Sequence, residues 1–189
     1  MATNPISKLS EEQYLALERV AETKSEFLDG EMFAMSGGTR RHADLQSNLH
    51  GELFAQLRGR PCRAYTSDFR IRTASGVYTY PDLSIVCGDV KVADTWTDTL
   101  LNPVVLIEVL SPSTEGYDRG LKFQHYRTIE SLQDYILVDQ TQVRIEQFTR
   151  QSDGTWSLRD LSAATDELRI ESIGVRLPVA QIYAGTGLD

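Results

Sequence analysis

The 189-residue chain has two cysteines, three histidines and no long apolar run, and each shortage removes a class of protein. Cys62 and Cys87 lie far apart and lack the paired spacing of a zinc or redox motif, so two buried thiols are expected. Three scattered histidines give zinc no ligand set. No apolar stretch approaches the roughly 18 residues that cross a bilayer, and MATNPISKLSEEQ at the start lacks the basic-then-apolar order of a secretory leader. The expected location is the cytoplasm. Positive charge is also in deficit: 19 Lys and Arg stand against 27 Asp and Glu, for a net charge of -8. Non-specific nucleic-acid binding is mostly phosphate neutralisation, so this chain does not coat nucleic acid by bulk attraction.

What is present is ordinary globular material, 41% hydrophobic and 24% charged. A chain of this length fills one core, and a single domain over residues 1–189 is expected. There is no internal repeat, low-complexity tract or linker. Between Arg40 and Arg72 seven arginines face three acids. That local excess suits forked phosphate contacts, and equally a solvated helix face with strand edges.

The local signals alternate between helix and strand. Ser10-Glu11-Glu12-Gln13 is a capping box and predicts a helix to about Glu22. SEFL and EMFAM flank Asp29-Gly30, a pair that supplies the positive φ angles of a tight hairpin. From His42 to Leu57 apolar residues recur at helical spacing, and Gly59-Arg60-Pro61 ends the run. CRAYTSDFRIRT, PDLSIVCG and PVVLIEVLS read as three successive strands, the last two apolar enough to be covered on both faces. A helix is expected from Thr114 or Glu115, with Asp118, Lys122 and Tyr126 on one face. DYILVDQ, VRIEQFTR, WSLRDL and ELRIE add strands, and LPVAQIYA a short closing helix. The expected class is α/β or α+β, with a central mixed β-sheet flanked by helices.

Two of the apolar strands carry an acid: Asp82 opens one and Glu108 sits in the middle of the other. A buried, unpaired carboxylate costs several kcal/mol, on the order given by transfer energies, or gives up its charge. If the strands are neighbours the acids converge, and a divalent cation that prefers oxygen ligands would relieve their repulsion. Magnesium or manganese fits that description. Lys122 on the next helix could stabilise charge on a phosphoryl oxygen. Other readings of the same residues stay open: Asp82 as a turn or strand cap, Glu108 in an ion pair with an arginine, Lys122 paired with Asp118 on an exposed helix face.

YPDLSIVCGD, PVVLIEVLSPST, DRGLKFQHYR and SLQDYILVDQ together resemble the Uma family of restriction-endonuclease-like proteins, within the PD-(D/E)XK nuclease superfamily. The resemblance covers most of the chain, from YLALERVAETKSEFLDGE to the strand pairs beyond Asp139. It implies a restriction-endonuclease-like core and an Mg²⁺- or Mn²⁺-dependent endonuclease that hydrolyses DNA phosphodiesters. Asp82 and Glu108 would be the metal ligands, the Val109 carbonyl a further one, and Lys122 the electrostatic helper. The chain departs from the superfamily pattern at Leu110, where the lysine usually stands; Lys122 replaces it from the helix. Glu31 and His42 are supporting candidates, the first as an extra metal or water ligand and the second as a phosphate contact or proton carrier, with Asp118 as an orienter of Lys122. Tyr126 reads as a packing residue, and Ser111 and Thr114 as shapers of the helix start. The competing readings are a nuclease-fold binding or assembly protein without catalysis, and a metal-binding module acting on RNA or a nucleotide. Cutting both strands of a duplex would suit a homodimer.

Overall fold

The computed structural model describes residues 8–188, so part of the N-terminal stretch read for a leader lies outside the described residues. Helix α1 (Glu11–Glu18) starts at the expected box: the Ser10 side chain accepts from the Gln13 N–H while Gln13 reaches back to the Ser10 N–H. It ends a turn earlier than its sequence suggests. The Glu18 carboxylate is buried and accepts from the Ser25 N–H (2.9 Å) and the Tyr80 hydroxyl (2.8 Å), which turns the chain into the first strand. Strands β1 (Ser25–Leu28) and β2 (Glu31–Ala34) pair antiparallel across Asp29 and Gly30, both at positive φ as that turn requires. Helix α2 (Arg40–Leu57) then runs to the expected stop, with Thr39 accepting from the His42 N–H at its start.

CRAYTSDFRIRT is two strands, not one. β3 (Cys62–Thr66) and β4 (Arg70–Arg72) are separated by a turn closed by Phe69 N–H to the Thr66 carbonyl, and they enter different sheets. After β5 (Tyr78–Thr79) come β6 (Leu83–Cys87), β7 (Thr99–Leu100) and β8 (Val105–Leu110). Next, α3 (Glu115–Tyr117), a π-helical turn (Asp118–Lys122) and α4 (Phe123–Tyr126) form one continuous helical segment. Strands β9 (Asp134–Asp139), β10 (Ile145–Arg150) and β11 (Trp156–Leu161) follow, then the hairpin β12 (Glu167–Ile170) and β13 (Val175–Pro178), and α5 (Val179–Ile182).

The main sheet has the order β11-β10-β9-β8-β6-β3 and is mixed: β8 and β9 are parallel and the other pairs antiparallel. A second sheet, β2-β1-β5-β4-β7, carries the N-terminal hairpin. Alternation along β8 sorts its side chains between two cores. Ile107 and Val109 pack with Leu45, Leu49 and Leu53 of α2. Leu106 and Leu110 pack on the other face with Phe123, Tyr126 and Tyr135. Each fully buried leucine contributes about 1.5–3 kcal/mol over exposure. Glu108 points to the second face, toward the π turn. No helix among the described residues is long and apolar enough to cross a membrane.

The expectation of two free thiols is corrected. Cys62 and Cys87 are direct cross-strand partners of β3 and β6, and their sulfurs are bonded. Pairing register made the contact, and no local spacing announced it.

Candidate active site

The register between β6 and β8 pairs Leu83 with Ile107, which continued by one residue sets Asp82 opposite Glu108. Asp82 is fixed from two directions. Its Oδ2 accepts from the Val109 N–H at 2.7 Å and lies 3.2 Å from His42 Nε2, at the first turn of α2. The Asp82 hydrogen bond raises the His42 pKa above its ordinary value, against the opposing effect of burial. Gly38 closes over the imidazole: a Cβ there would stand 2.9 Å from His42 Nδ1.

Glu108 is 5% exposed and is met from the helical segment. Lys122 Nζ lies 2.9 Å from its Oε1, and the Tyr126 hydroxyl donates to the same oxygen at 2.7 Å. The Lys122 ammonium also lies 3.3 Å from Glu26 Oε1 and 3.4 Å from Asp118 Oδ1. Asp118 and Lys122 bound the π turn, a local widening often found at functional sites. Burial disfavours the Lys122 charge, yet Glu108, Glu26 and Asp118 outweigh it and hold the pKa well above the usual range. Burial also pushes the Glu108 carboxyl up; Lys122 opposes the rise, and the nearby Asp118 and Asp82 add to it. One ammonium thus faces three carboxylates, with a fourth, Asp82, across the strand pair.

These groups line a cleft of about 600 Å³ that also includes Phe33, Met35, Tyr117 and Leu121. Asp82 Oδ1 and Glu108 Oε2 accept no hydrogen bond among the described residues. Two hard oxygen donors and an excess of negative charge fit a divalent cation. Among the described residues no trio of His, Cys, Asp and Glu is grouped for metal ligation. A cation held here would complete its shell with water, main-chain or phosphate oxygen, the habit of magnesium and manganese rather than zinc.

The structure brings Asp82, Glu108, Lys122, His42 and Asp118 together. Glu31 stays outside: it pairs with Leu28 beside the hairpin turn, exposed, and is not part of the cleft. Glu26 takes the place expected of Glu31, because strand alternation turns Glu26 away from the Phe27 core and toward Lys122. Lys122 is buried, and Glu108 is neutralised by it rather than by an arginine. Tyr126 packs in the core as expected and adds a polar role through its hydroxyl, which also meets Thr79 Oγ1 at 2.9 Å.

Residues 11–180 match the Uma2 family, described as "Putative restriction endonuclease". The chain belongs to the Uma2 family. It is 38% identical to "Uncharacterized protein slr1290" of Synechocystis sp. over 182 residues, 96% of this chain and 94% of the relative. It is 35% identical to "Uncharacterized protein sll1609" of the same organism, over 85% of this chain and 91% of that one. In fold it is similar to the crystal structure of "a putative nuclease belonging to DUF820" from Anabaena variabilis, with a TM-score of 0.79 at 17% identity, covering 94% of this chain and 99% of the other. The nuclease-like α+β fold of this Uma2 chain therefore agrees with the architecture expected from its strands.

Proposed function

We propose that this Uma2 protein is an Mg²⁺- or Mn²⁺-dependent endonuclease acting on DNA phosphodiesters. The observation that carries the reading is the Lys122 ammonium 2.9 Å from Glu108, in the same cleft as Asp82. Asp82 and Glu108 would hold the cation, which when bound supplies Lewis-acid polarisation of a phosphoryl oxygen and acidifies water. Lys122 supplies positive charge where the phosphoryl oxygens gain negative charge. Glu108, Glu26 and Asp118 keep that ammonium protonated and aimed. Val109 and His42 fix the Asp82 carboxylate, and His42 holds a proton at Nε2 beside it. Tyr126 orients Glu108 from the core side. The walls of the cleft limit access of bulk water to this group, which strengthens each interaction inside it.

A second reading, a nuclease-fold binding or assembly protein, draws on Leu110 in the usual lysine position and on the net charge of -8. Manganese titration by calorimetry, with cleavage assays on plasmid and single-stranded DNA, separates the two. Binding lost in Asp82→Ala and Glu108→Ala, with cleavage lost in Lys122→Ala, is expected. No manganese binding by the wild type, even with DNA present, overturns the nuclease reading.

A further inference from the structure

We propose that the cleft takes an unpaired stretch of a DNA strand rather than a duplex, with a base against Phe33 and a phosphate of the same strand at Arg40. This deepens the nuclease reading and rests on it. The reacting groups lie deep: Glu108 and Lys122 are each 5% exposed. The cleft of about 600 Å³ is in the size range that takes a small ligand whole, enough for one or two nucleotides. A duplex is a stiff rod, and pressing one of its phosphates to that depth requires bending or unstacking it. A nucleotide already out of the stack enters without that cost.

The lining at the mouth points the same way. Phe33, Met35 and Leu121 line the cleft and are 50%, 37% and 42% exposed. A phosphate backbone gains nothing from these side chains. A base does, since stacking on an aromatic ring is the common device of single-strand binding.

Charge also argues against a duplex. The cleft carries Glu26, Asp82, Glu108 and Asp118 against the Lys122 ammonium, with His42 beside Asp82. Several arginines of the 40–72 stretch are committed inside the fold: Arg70 is buried against Tyr80 and Thr99, Arg72 pairs with Glu11, and Arg60 donates to the Ile173 and Gly174 carbonyls. The stretch is therefore no continuous basic face. Arg40 is different. Its side chain is 89% exposed, with a 3.4 Å contact to Asp44, and it lines a second groove of about 630 Å³. That groove shares Thr39, Pro112 and Gln140 with the cleft. A strand leaving the cleft over those residues passes Arg40, which offers one phosphate contact.

The test is fluorescence anisotropy of a dye-labelled oligonucleotide, single-stranded and as a blunt duplex of the same sequence, with Ca²⁺ as the cation so that binding is read apart from cleavage. The single strand is expected to bind at least about tenfold more tightly. Phe33→Ala should lose about 5- to 150-fold on the single strand, the range of one base–aromatic stack, while Phe33→Trp keeps the affinity. Arg40→Ala should weaken binding and reduce the log–log salt slope by about 0.7, one phosphate contact on a single strand. Thermal melting of each variant confirms that it is folded. Duplex bound as tightly as single strand, or either alanine variant binding like the wild type, overturns this proposal. If the duplex binds as tightly as the single strand and is cut when Mn²⁺ replaces Ca²⁺, the nuclease reading stands and this proposal alone falls; if neither form binds, both fall.

Discussion

The main-chain N–H of Val109 donates to Asp82 Oδ2 at 2.7 Å, so the residue that follows Glu108 in β8 fixes the acid that faces Glu108 from the position just before β6. The Asp82 side chain is thereby anchored to the β8 main chain next to Glu108. Asp82→Asn keeps an acceptor for that N–H and removes a charged oxygen from the cleft. Folding stability should change by less than about 1 kcal/mol, the scale of one net hydrogen bond. Manganese affinity should fall at least about tenfold. Calorimetric titration beside thermal unfolding in chelator checks both; unchanged affinity would remove Asp82 from the ligand set.

Among the described residues Lys122 is the one ammonium that meets Glu26, Glu108 and Asp118. Lys122→Met leaves three carboxylates facing one another with the cation gone. Removing one partner of a buried pair costs about 3–5 kcal/mol. Urea denaturation in chelator should show a loss of that size. A cation that binds only the folded state restores stability in proportion to its occupancy, about 2.7 kcal/mol at a concentration 100 times its dissociation constant. Saturating Mn²⁺ should therefore recover a large part of the loss. A variant as stable as the wild type in chelator would contradict the geometry.

Cys62 and Cys87 close a loop of 25 residues in sequence. On chain entropy such a loop is worth about 3.5 kcal/mol, less whatever structure the unfolded chain retains. Guanidinium denaturation of the wild type with and without reductant should differ by up to that amount. The double variant Cys62→Ala/Cys87→Ala should match the reduced wild type and show no further response to reductant.

Much of this architecture is written in local pattern. The Ser10 box, the Asp29-Gly30 turn, the leucine spacing of α2 and the apolar runs of β6, β8 and β9 each carry their own signal, and each element forms where that signal lies. The two strand acids were legible because an ionisable group inside an apolar run needs a partner. Contacts made between sheets were not. Glu26 reaches Lys122 from a strand of the second sheet, and its own neighbourhood reads as an ordinary half-exposed strand position. The break between β3 and β4 has neither glycine nor proline to mark it. α1 stops at Glu18 because that carboxylate is used by Ser25 and Tyr80, a tertiary demand that overrides helix propensity.

Asp98 ties the second sheet to α1. Its carboxylate accepts from Arg19 Nε at 2.7 Å and from the Thr99 hydroxyl at 2.9 Å, and lies 3.1 Å from the buried Arg70 guanidinium. The Arg19 hydrogen bond, with Thr99 and the charge of Arg70, brings its pKa down to about 2 against the opposing effect of burial. A carboxyl with a lower pKa folded than unfolded stabilises the fold above its unfolded value, and that stability disappears as pH falls through the folded value. The window here runs from about pH 4 down to about pH 2. Because the carboxylate is partly exposed and screened by water, the contribution is about 1 kcal/mol, near the top of the range for such pairs. Asp98→Asn should therefore be less stable than the wild type by about that much at pH 7, and the difference should close by about pH 2. Urea unfolding of both proteins at pH 7, 4, 3 and 2 measures the gap; a gap that stays constant with pH would assign the effect of Asp98 to packing and neutral hydrogen bonding rather than to its charge.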